Sequence, residues 1–261
     1  MHIIGIIPAR MGSSRFPGKP LAKICGLSMI EHVYRRCEMA DILSDVYVAT
    51  CDEEIVEATK AFGGKAVMTK DTHERASDRV AEAMLKIEAE QNKKVDILVM
   101  IQGDEPMVTP AMIRESVAPL LEDGSIKVSN LLAPIHSREE QDDPNEIKVV
   151  VDSQNNALYF SRTAIPSRFR SKAEVPMFKQ VCIIPFRRDY LLEFNRLKQT
   201  PLEIAESVDM LRVLENGEKV RMVPTQSATY SVDTEADLQK VAKIMESDAL
   251  YQQYKREVNQ S

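Results

Sequence analysis

The sequence lacks the motifs that most directly assign a nucleotide-binding fold. It contains neither the GxxxxGKS/T phosphate loop nor the GxGxxG dinucleotide fingerprint, so neither of those folds is indicated. Its four cysteines form no CxxC pair and have no histidine at ligand spacing, which argues against zinc and predicts reduced, mostly structural thiols. No apolar run approaches the length that a membrane span requires.

Positive charge is also scarce. The chain has 34 lysines and arginines against 40 aspartates and glutamates, a formal net charge of -6. A general nucleic-acid binder needs a basic face, so that class is disfavoured, and any bound anion must meet a local basic cluster. The first apolar segment begins within two residues of the N-terminus, which leaves no room for a signal peptide, so we expect a cytoplasmic protein.

A local basic cluster follows the first apolar segment. Residues 3–8 are apolar, and the polar, glycine-containing loop after them carries Arg10, Arg15 and Lys19, with Ser13 between them. A polyphosphate needs fixed positive charges, hydroxyls and short residues that let the backbone approach. A solvated basic turn after a buried strand would show the same pattern, but the density of donors favours a phosphate site.

Strands and helices alternate through the first half of the chain. The predicted strands are 3–8, 45–50, 65–68 and 96–101, and the predicted helices are 28–39, 52–62 and 79–90. The first helix would begin with a capping box of Ser28 and Glu31. This alternation predicts an α/β fold with a mostly parallel sheet flanked by helices, in which ligands bind at the carboxyl ends of the strands.

The second half of the chain has short strands with few helices between them, which predicts an antiparallel extension. The predicted strands there are 128–133, 148–151, 157–162, 178–185 and 220–224. One helix is predicted from about Arg188 and another from a Thr200–Glu203 capping box through Leu214. A terminal helix would run from Glu235 to about residue 248, followed by a polar tail. No linker separates two halves, so we predict one domain over 1–261.

Asp104 follows a strong apolar strand, so it would lie on the same edge of the sheet as Arg10 and Lys19. A carboxylate beside a phosphate loop suggests Mg²⁺, which takes one or two carboxylates and adds phosphate oxygens and water. The alternative is an aspartate that caps the next helix. Thr109 and Pro110 already supply the cap and the first helical position there, so the metal interpretation is favoured.

Asp233 is the second candidate ligand. An Asp or Thr before a helix is usually an N-cap, but Thr234 can fill that role with Asp237 three residues later. Asp233 can then face the ligand. The sequence alone does not establish that Asp104 and Asp233 meet.

Several segments together resemble the 3-deoxy-manno-octulosonate (Kdo) cytidylyltransferases. The resemblance extends from residue 3 to about residue 242 and keeps the family's order and spacing. The segments that carry it are 8–20 (PARMGSSRFPGKP), 102–106 (QGDEP), 145–150 (NEIKVV), 159–166 (YFSRTAIP) and 232–234 (VDT).

The resemblance implies a nucleotidyltransferase-like domain that transfers CMP from CTP to a Kdo-type acidic sugar for lipopolysaccharide synthesis. It also implies Mg²⁺ as cofactor and a homodimer formed through the extension at about 128–200. The catalytic residues would be Arg10, Lys19, Asp104 and Asp233, with Asp104 and Asp233 as metal ligands. The nucleotide would be held by Ala9, Arg10, Ser13, Lys19, Ser77 and Arg79, and the sugar by Arg15, Gln102 and Arg162. For Arg162 a surface ion pair is the alternative interpretation.

The chain departs from the family pattern at three segments. Members typically read His-Leu-Gly-Ile-Tyr where this chain has residues 180–184 (QVCII), and residues 74–78 and 206–212 also differ. Because an imidazole and a phenol are missing, we expect a modified sugar, 8-amino-3,8-dideoxy-manno-octulosonate. Gln180, Glu206 or Asp209 would meet its ammonium group. The alternatives are ordinary Kdo, an inactive paralogue that binds a nucleotide-sugar, and a glycosyltransferase on a related core.

Overall fold

The computed structural model describes residues 1–12, 16–167 and 175–258. The chain forms two compact units, the first containing Met1–Arg114 and Thr229–Ser261 and the second containing Glu115–Ala228. The second unit includes the predicted extension at 128–200. The prediction of a single domain stays a prediction.

A parallel sheet forms the centre of the first unit. The elements of this unit, in chain order, are β1 (Ile3–Pro8), β2 (Lys23–Ile24), β3 (Leu27–Ser28), α1 (Met29–Glu38), β4 (Asp45–Thr50), α2 (Glu53–Ala61), β5 (Ala66–Met68), α3 (Ala76–Gln91), β6 (Ile97–Ile101) and the first part of α4 (Pro110–Glu122). The boundary between the two units lies within α4. β1 pairs in parallel with β4 on one side and β6 on the other, and β4 pairs in parallel with β5. Every residue of β1 and β6 is buried, because helices pack against the sheet. The predicted α/β class is confirmed.

Two local predictions in this unit are wrong. Ser28 stands at the N-cap of α1, but its side chain makes no capping hydrogen bond, and Glu31 pairs instead with Arg35 at 2.9 Å. Helix α3 begins at Ala76 rather than at residue 79. The missed residues 76–78 include Asp78, whose negative charge is favourable in a first helical turn because it complements the helix dipole.

The second unit contains a mixed sheet. The elements of the unit are β7 (Ser129–Pro134), α5 (Arg138–Asp142), β8 (Lys148–Val151), β9 (Ala157–Ser161), β10 (Phe178–Val181), β11 (Ile183–Arg187), α6 (Arg188–Phe194), α7 (Pro201–Glu206), α8 (Met210–Glu215) and β12 (Arg221–Pro224). The strand order is β12-β7-β10-β8-β9, with β7, β10, β8 and β9 antiparallel and β12 parallel to β7. The predicted antiparallel extension is confirmed.

Three elements of the second unit differ from the prediction. The strand predicted at 178–185 is two strands, interrupted at Cys182. Between β7 and β8, where no helix was predicted, lies the short helix α5. The helix predicted to run from Thr200 through Leu214 is also divided, because Ser207 takes a left-handed backbone conformation with φ 52° and ends α7.

The chain returns to the first unit with α9 (Glu235–Met245) and α10 (Ala249–Val258). Residues 249–258, which were predicted as part of a polar tail after the terminal helix, therefore form a second helix. It is buried through Tyr251 and Tyr254, which are each 2% exposed. Both tyrosines join an apolar cluster with Ile24, Met29, Met107, Val232, Leu238, Val241 and Met245.

Membrane spans and the state of the cysteines were also predicted from the sequence. Among the described residues, no helix is both long and apolar enough to cross a membrane. All four cysteines lie in the described part of the chain, and none of them forms a disulfide.

Candidate active site

Lys19 brings three distant segments of the first unit together. It begins a short 3-10 turn after Gly18, which takes a left-handed φ of 73°. Its ammonium nitrogen lies 2.8 Å from Asp104 Oδ2 and 3.3 Å from Asp233 Oδ1, and it donates to the carbonyl oxygen of Val232 at 2.9 Å. The two aspartates that the sequence could not place together therefore lie beside one cation.

The turn after β6 positions Asp104. A Cβ added at Gly103 would lie 3.2 Å from the carbonyl oxygen of Pro8, so the small residue lets the ends of β1 and β6 approach. The backbone carbonyl of Asp104 accepts a hydrogen bond from the Val232 amide at 2.9 Å. This bond holds the segment that carries Asp233 against the same edge of the sheet.

Other residues cap the two helices that follow the aspartates, as predicted. Thr109 Oγ1 accepts from the Met112 amide at 3.2 Å at the start of α4. Thr234 and Asp237 form a capping box at the start of α9. Neither Asp104 nor Asp233 is used as an N-cap, which leaves their carboxylates directed to Lys19.

The aspartates determine the charge state of Lys19. Burial alone would lower the pKa of its ammonium group, but the carboxylate of Asp104, together with that of Asp233, outweighs burial and raises the pKa above its ordinary value. Lys19 is therefore a fixed positive charge at neutral pH.

A pocket of about 330 Å³ opens beside Lys19 and Asp104. Three segments that each follow a strand of the parallel sheet line it, together with Met29 of α1. Its lining residues include Pro8, Ala9, Arg10, Gly12, Lys19, Met29, His73, Glu74, Arg75, Ala76, Arg79, Gln102, Gly103 and Asp104. A site at the carboxyl ends of parallel strands is the position expected for a ligand in an α/β fold.

The start of α3 forms one wall of this pocket. Arg79 is 3% exposed, and its Nη1 donates to Thr69 Oγ1 at 2.6 Å and to the carbonyl oxygen of Lys70 at 3.3 Å. Ser77 is buried in the same helical turn. The guanidinium group is therefore anchored to the segment after β5.

His73 belongs to the same wall and was not predicted as a site residue. Its Nε2 contacts Glu82, which also pairs with Lys86 at 2.8 Å and accepts from the Lys70 amide at 3.2 Å. Burial would raise the pKa of Glu82, but hydrogen bonds from Lys86 and His73 lower it to about 2. The signal that could have identified His73 is its place after a strand whose carboxyl end lies at the ligand edge of the sheet.

The structure brings most of the predicted nucleotide and metal residues together in the first unit. Ala9, Arg10, Lys19, Arg79, Gln102 and Asp104 line the pocket, Asp233 contacts Lys19, and Ser77 lies in the first turn of α3. Ser13 and Arg15 lie outside the described residues. The remaining predicted sugar residues, Arg162, Gln180, Glu206 and Asp209, lie in the second unit.

Glu206 is the centre of a hydrogen-bond cluster in the second unit. Its carboxylate accepts from Ser161 Oγ at 3.0 Å, from the Arg162 amide at 2.8 Å and from the Tyr159 hydroxyl at 3.3 Å. Arg162 Nε donates in turn to the carbonyl oxygen of Glu206 at 2.6 Å, and its Nη1 donates to that of Pro144 at 2.9 Å. The guanidinium group of Arg162 is thus held by backbone carbonyl oxygens rather than by the surface ion pair that was its alternative interpretation.

The other two predicted sugar residues have different surroundings. Gln180 is 8% exposed, and its side-chain amide donates to the side-chain oxygen of Asn130. Asp209 stands at the N-cap position of α8. Their contacts with a sugar stay predictions.

Comparisons with known proteins identify the family of the chain. Residues 4–220 match the family model described as cytidylyltransferase. The 3-deoxy-manno-octulosonate cytidylyltransferase of Geobacter metallireducens is 46% identical over 93% of this chain and 97% of its own length. That of Solibacter usitatus is 41% identical over 95% and 96%.

Solved structures are similar as well. CMP:2-keto-3-deoxy-manno-octonic acid synthetase complexed with CTP matches with a TM-score of 0.86 and 39% identity, covering 94% of this chain and 98% of that one. A cytidylyltransferase from Leptospira borgpetersenii, with a TM-score of 0.62, 17% identity and 96% and 90% coverage, shows the fold alone. The matches extend over nearly the whole of both chains, and the chain belongs to the 3-deoxy-manno-octulosonate cytidylyltransferase family.

Proposed function

We propose that this protein transfers the cytidylyl group of CTP to the anomeric hydroxyl of a Kdo-type sugar acid and releases pyrophosphate. The observation that carries the proposal is the meeting of Lys19, Asp104 and Asp233 beside a pocket that Arg10 also lines. The choice of CTP and of the sugar class is supported by the names of the relatives and by the similar structure complexed with CTP.

The reaction needs no covalent intermediate on the protein. The sugar hydroxyl oxygen bonds to the α-phosphorus and loses its proton, while the bond from that phosphorus to the bridging oxygen breaks and pyrophosphate leaves. Arg10 and Lys19 would hold the triphosphate, and their charges would stabilise the negative charge that grows on the leaving group. Catalysis then consists of alignment and charge neutralisation.

The two aspartates fit a magnesium ion. Both carboxylates lie within reach of one ammonium group, so a single cation between them would meet oxygen ligands from both. Mg²⁺ prefers this donor set, one or two carboxylates with phosphate oxygens and water completing its shell. When bound, it would neutralise phosphate charge and make the attacking hydroxyl more acidic.

A pyrophosphate-release assay tests the proposal. With CTP, Kdo and Mg²⁺, we expect turnover that requires both substrates, and we expect Asp104→Ala and Asp233→Ala each to lower kcat/KM at least about 100-fold. Asp41→Ala is the matched control, since Asp41 has an 82% exposed side chain on the surface. Binding of CTP without pyrophosphate release would indicate the inactive paralogue, and a need for a donor sugar-nucleotide would indicate a glycosyltransferase.

We further propose that the sugar is 8-amino-3,8-dideoxy-manno-octulosonate. What supports this is the sequence, which places an amide at Gln180 and an aliphatic side chain at Ile184 where the family has an imidazole and a phenol. Ordinary Kdo fits the family membership equally well. Measuring kcat/KM for both sugars decides between them. A preference for ordinary Kdo of about ten-fold, which corresponds to about 1.4 kcal/mol, would reject the amino-sugar proposal.

We also propose that the protein acts as a homodimer in the cytoplasm. Among the described large apolar side chains of the second unit, Leu158 and Ile204 are the most exposed, at 60% each, and exposed apolar surface of this kind is common at protein interfaces. Light scattering after gel filtration measures the molar mass. We expect a dimer, and we expect Leu158→Asp to shift it toward the monomer, with Leu85→Asp, at a 43% exposed leucine of the first unit, as the control.

A further inference from the structure

We propose that the Lys19 ammonium group occupies the cation position between Asp104 and Asp233 in the nucleotide-free protein. CTP must then draw this group away before a divalent cation can bind. The inference rests on the proposed function, in which Lys19 binds the triphosphate and the two aspartates bind Mg²⁺. Beyond that function, it predicts that CTP binds before the divalent cation.

All N–H donors of the Lys19 ammonium group are already engaged. An ammonium group has three N–H bonds, and Lys19 makes three contacts with acceptors, at 2.8 Å to Asp104, 2.9 Å to the Val232 carbonyl and 3.3 Å to Asp233. No donor remains for a phosphate oxygen while these three contacts persist. Lys19 can therefore bind the triphosphate only after it has left at least one of them.

The acceptors of Lys19 belong to the two proposed metal ligands. The ammonium group uses Oδ2 of Asp104 and Oδ1 of Asp233, so it already holds one oxygen of each carboxylate that would bind the metal. The lysine side chain is 14% exposed, and the aspartate side chains are 31% and 21% exposed, so water screens these charges only partly. A divalent cation brought to the carboxylates would be repelled by the ammonium group already there.

The side chain of Lys19 can move, but its backbone is fixed. The backbone around Lys19 is hydrogen-bonded on both sides, from the Lys19 amide to the Phe16 carbonyl at 3.2 Å and from the Ala22 amide to the Lys19 carbonyl at 3.1 Å. Pro20 follows directly and fixes its own φ. The displacement is therefore confined to the flexible four-carbon side chain, which can turn from the carboxylates into the pocket that it lines.

The consequence is that nucleotide binding and metal binding are coupled. Without CTP, the lysine neutralises the two carboxylates and keeps their affinity for metal low. The phosphates of CTP provide competing acceptors for the ammonium group and, at the same moment, additional ligands for the metal.

The test is a Mn²⁺ titration of the nucleotide-free protein, with free Mn²⁺ measured by electron paramagnetic resonance. We expect Lys19→Met, which keeps the length of the side chain and removes its charge, to bind Mn²⁺ at least about ten-fold more tightly than the wild type. Lys23→Met removes a charge from an exposed lysine nearby and should behave as the wild type. The double variant Lys19→Met/Asp104→Asn should lose the gain.

The outcomes separate this inference from the proposed function. Equal Mn²⁺ affinity of the wild type and Lys19→Met, with CTP-dependent binding still present in the wild type, would overturn only the gating role of the lysine. Absence of Mn²⁺ binding in every variant, with and without CTP, would overturn both the gate and the metal site. Lys19→Gln, whose amide can still donate to the carboxylates, repeats the test should the methionine variant fail to fold.

Discussion

The hydroxyl group of Tyr254 lies 2.6 Å from Nδ1 of His32, although 222 positions separate the two residues. The other imidazole nitrogen, Nε2, lies 2.7 Å from the carbonyl oxygen of Ile24 and must donate to it. His32 is therefore the neutral tautomer with its proton on Nε2, and Nδ1 accepts from Tyr254. Arg36 Nε donates to the same hydroxyl oxygen at 3.3 Å, so one buried chain of hydrogen bonds joins α10 to α1.

We expect Tyr254→Phe to lower the free energy of unfolding by about 1–3 kcal/mol. The change keeps the ring but leaves His32 Nδ1 and Arg36 Nε without this partner in a buried site, and a buried polar group that loses its partner costs about that much. Urea unfolding followed by circular dichroism measures the effect. Gln253→Ala, at an exposed position of the same helix, serves as the control. An equal stability of Tyr254→Phe and the control would show that the hydroxyl contributes nothing.

The stability of the protein should fall as the pH is lowered from 6.5 toward 4. Burial lowers the pKa of His32 from 6.5 to about 4, so the unfolded chain binds a proton in this range while the folded protein does not. The stabilisation from His32 is complete above pH 6.5, and about 2 kcal/mol of it is lost by pH 5. The measurement compares the slope of unfolding free energy against pH for the wild type and His32→Gln. The variant should show a flatter slope, and His136→Gln, at an exposed histidine, should keep the wild-type slope.

The sequence predicted the elements whose apolar pattern is local. Strands β1 and β6 are continuous apolar runs that could be assigned without knowledge of the rest of the chain. Helix α10 could not be assigned this way, because Tyr251 and Tyr254 are the only buried residues among its described side chains, most of which are polar. Their burial depends on His32 and Arg36, which are distant in sequence. The break at Ser207 was missed for a related reason, since no glycine or proline marks it.

The candidate site was predictable where a general rule of α/β sheets applied. The rule places segments after parallel strands at one edge, and it correctly joined Lys19 to Asp104. It said nothing of Asp233, whose position depends on the bond between the Val232 amide and the Asp104 carbonyl. It would also have included His73, which follows β5, but in the segment before the predicted start of α3 only Ser77 was assigned to the site.

Ser207→Gly should stabilise the protein by about 0.5–1 kcal/mol. Ser207 has a φ of 52°, a conformation that glycine adopts without the steric penalty that a Cβ brings. Ser207→Ala is the contrasting variant, because it removes the hydroxyl but keeps the Cβ and should give no gain. Thermal unfolding of the three proteins measures the difference. A melting temperature of the glycine variant at or below that of the alanine variant would contradict the assignment of strain to this residue.

Glu206→Gln should also lower the free energy of unfolding by about 1–3 kcal/mol. The Glu206 carboxylate accepts hydrogen bonds from the Tyr159 hydroxyl, the Ser161 hydroxyl and the Arg162 backbone N–H. A glutamine side chain would place an N–H group opposite at least one of these donors, and that hydrogen bond would be lost. Glu139→Gln, at an exposed glutamate of the same unit, is the control.

The Glu206→Gln variant also tests whether Glu206 contacts the sugar. An equal fall of kcat/KM for Kdo and its 8-amino analogue would assign Glu206 to the fold, because the cluster it organises serves both sugars. A fall of kcat/KM for the 8-amino sugar alone would show that the Glu206 carboxylate contacts the ammonium group of that sugar in addition to its three donors in the protein.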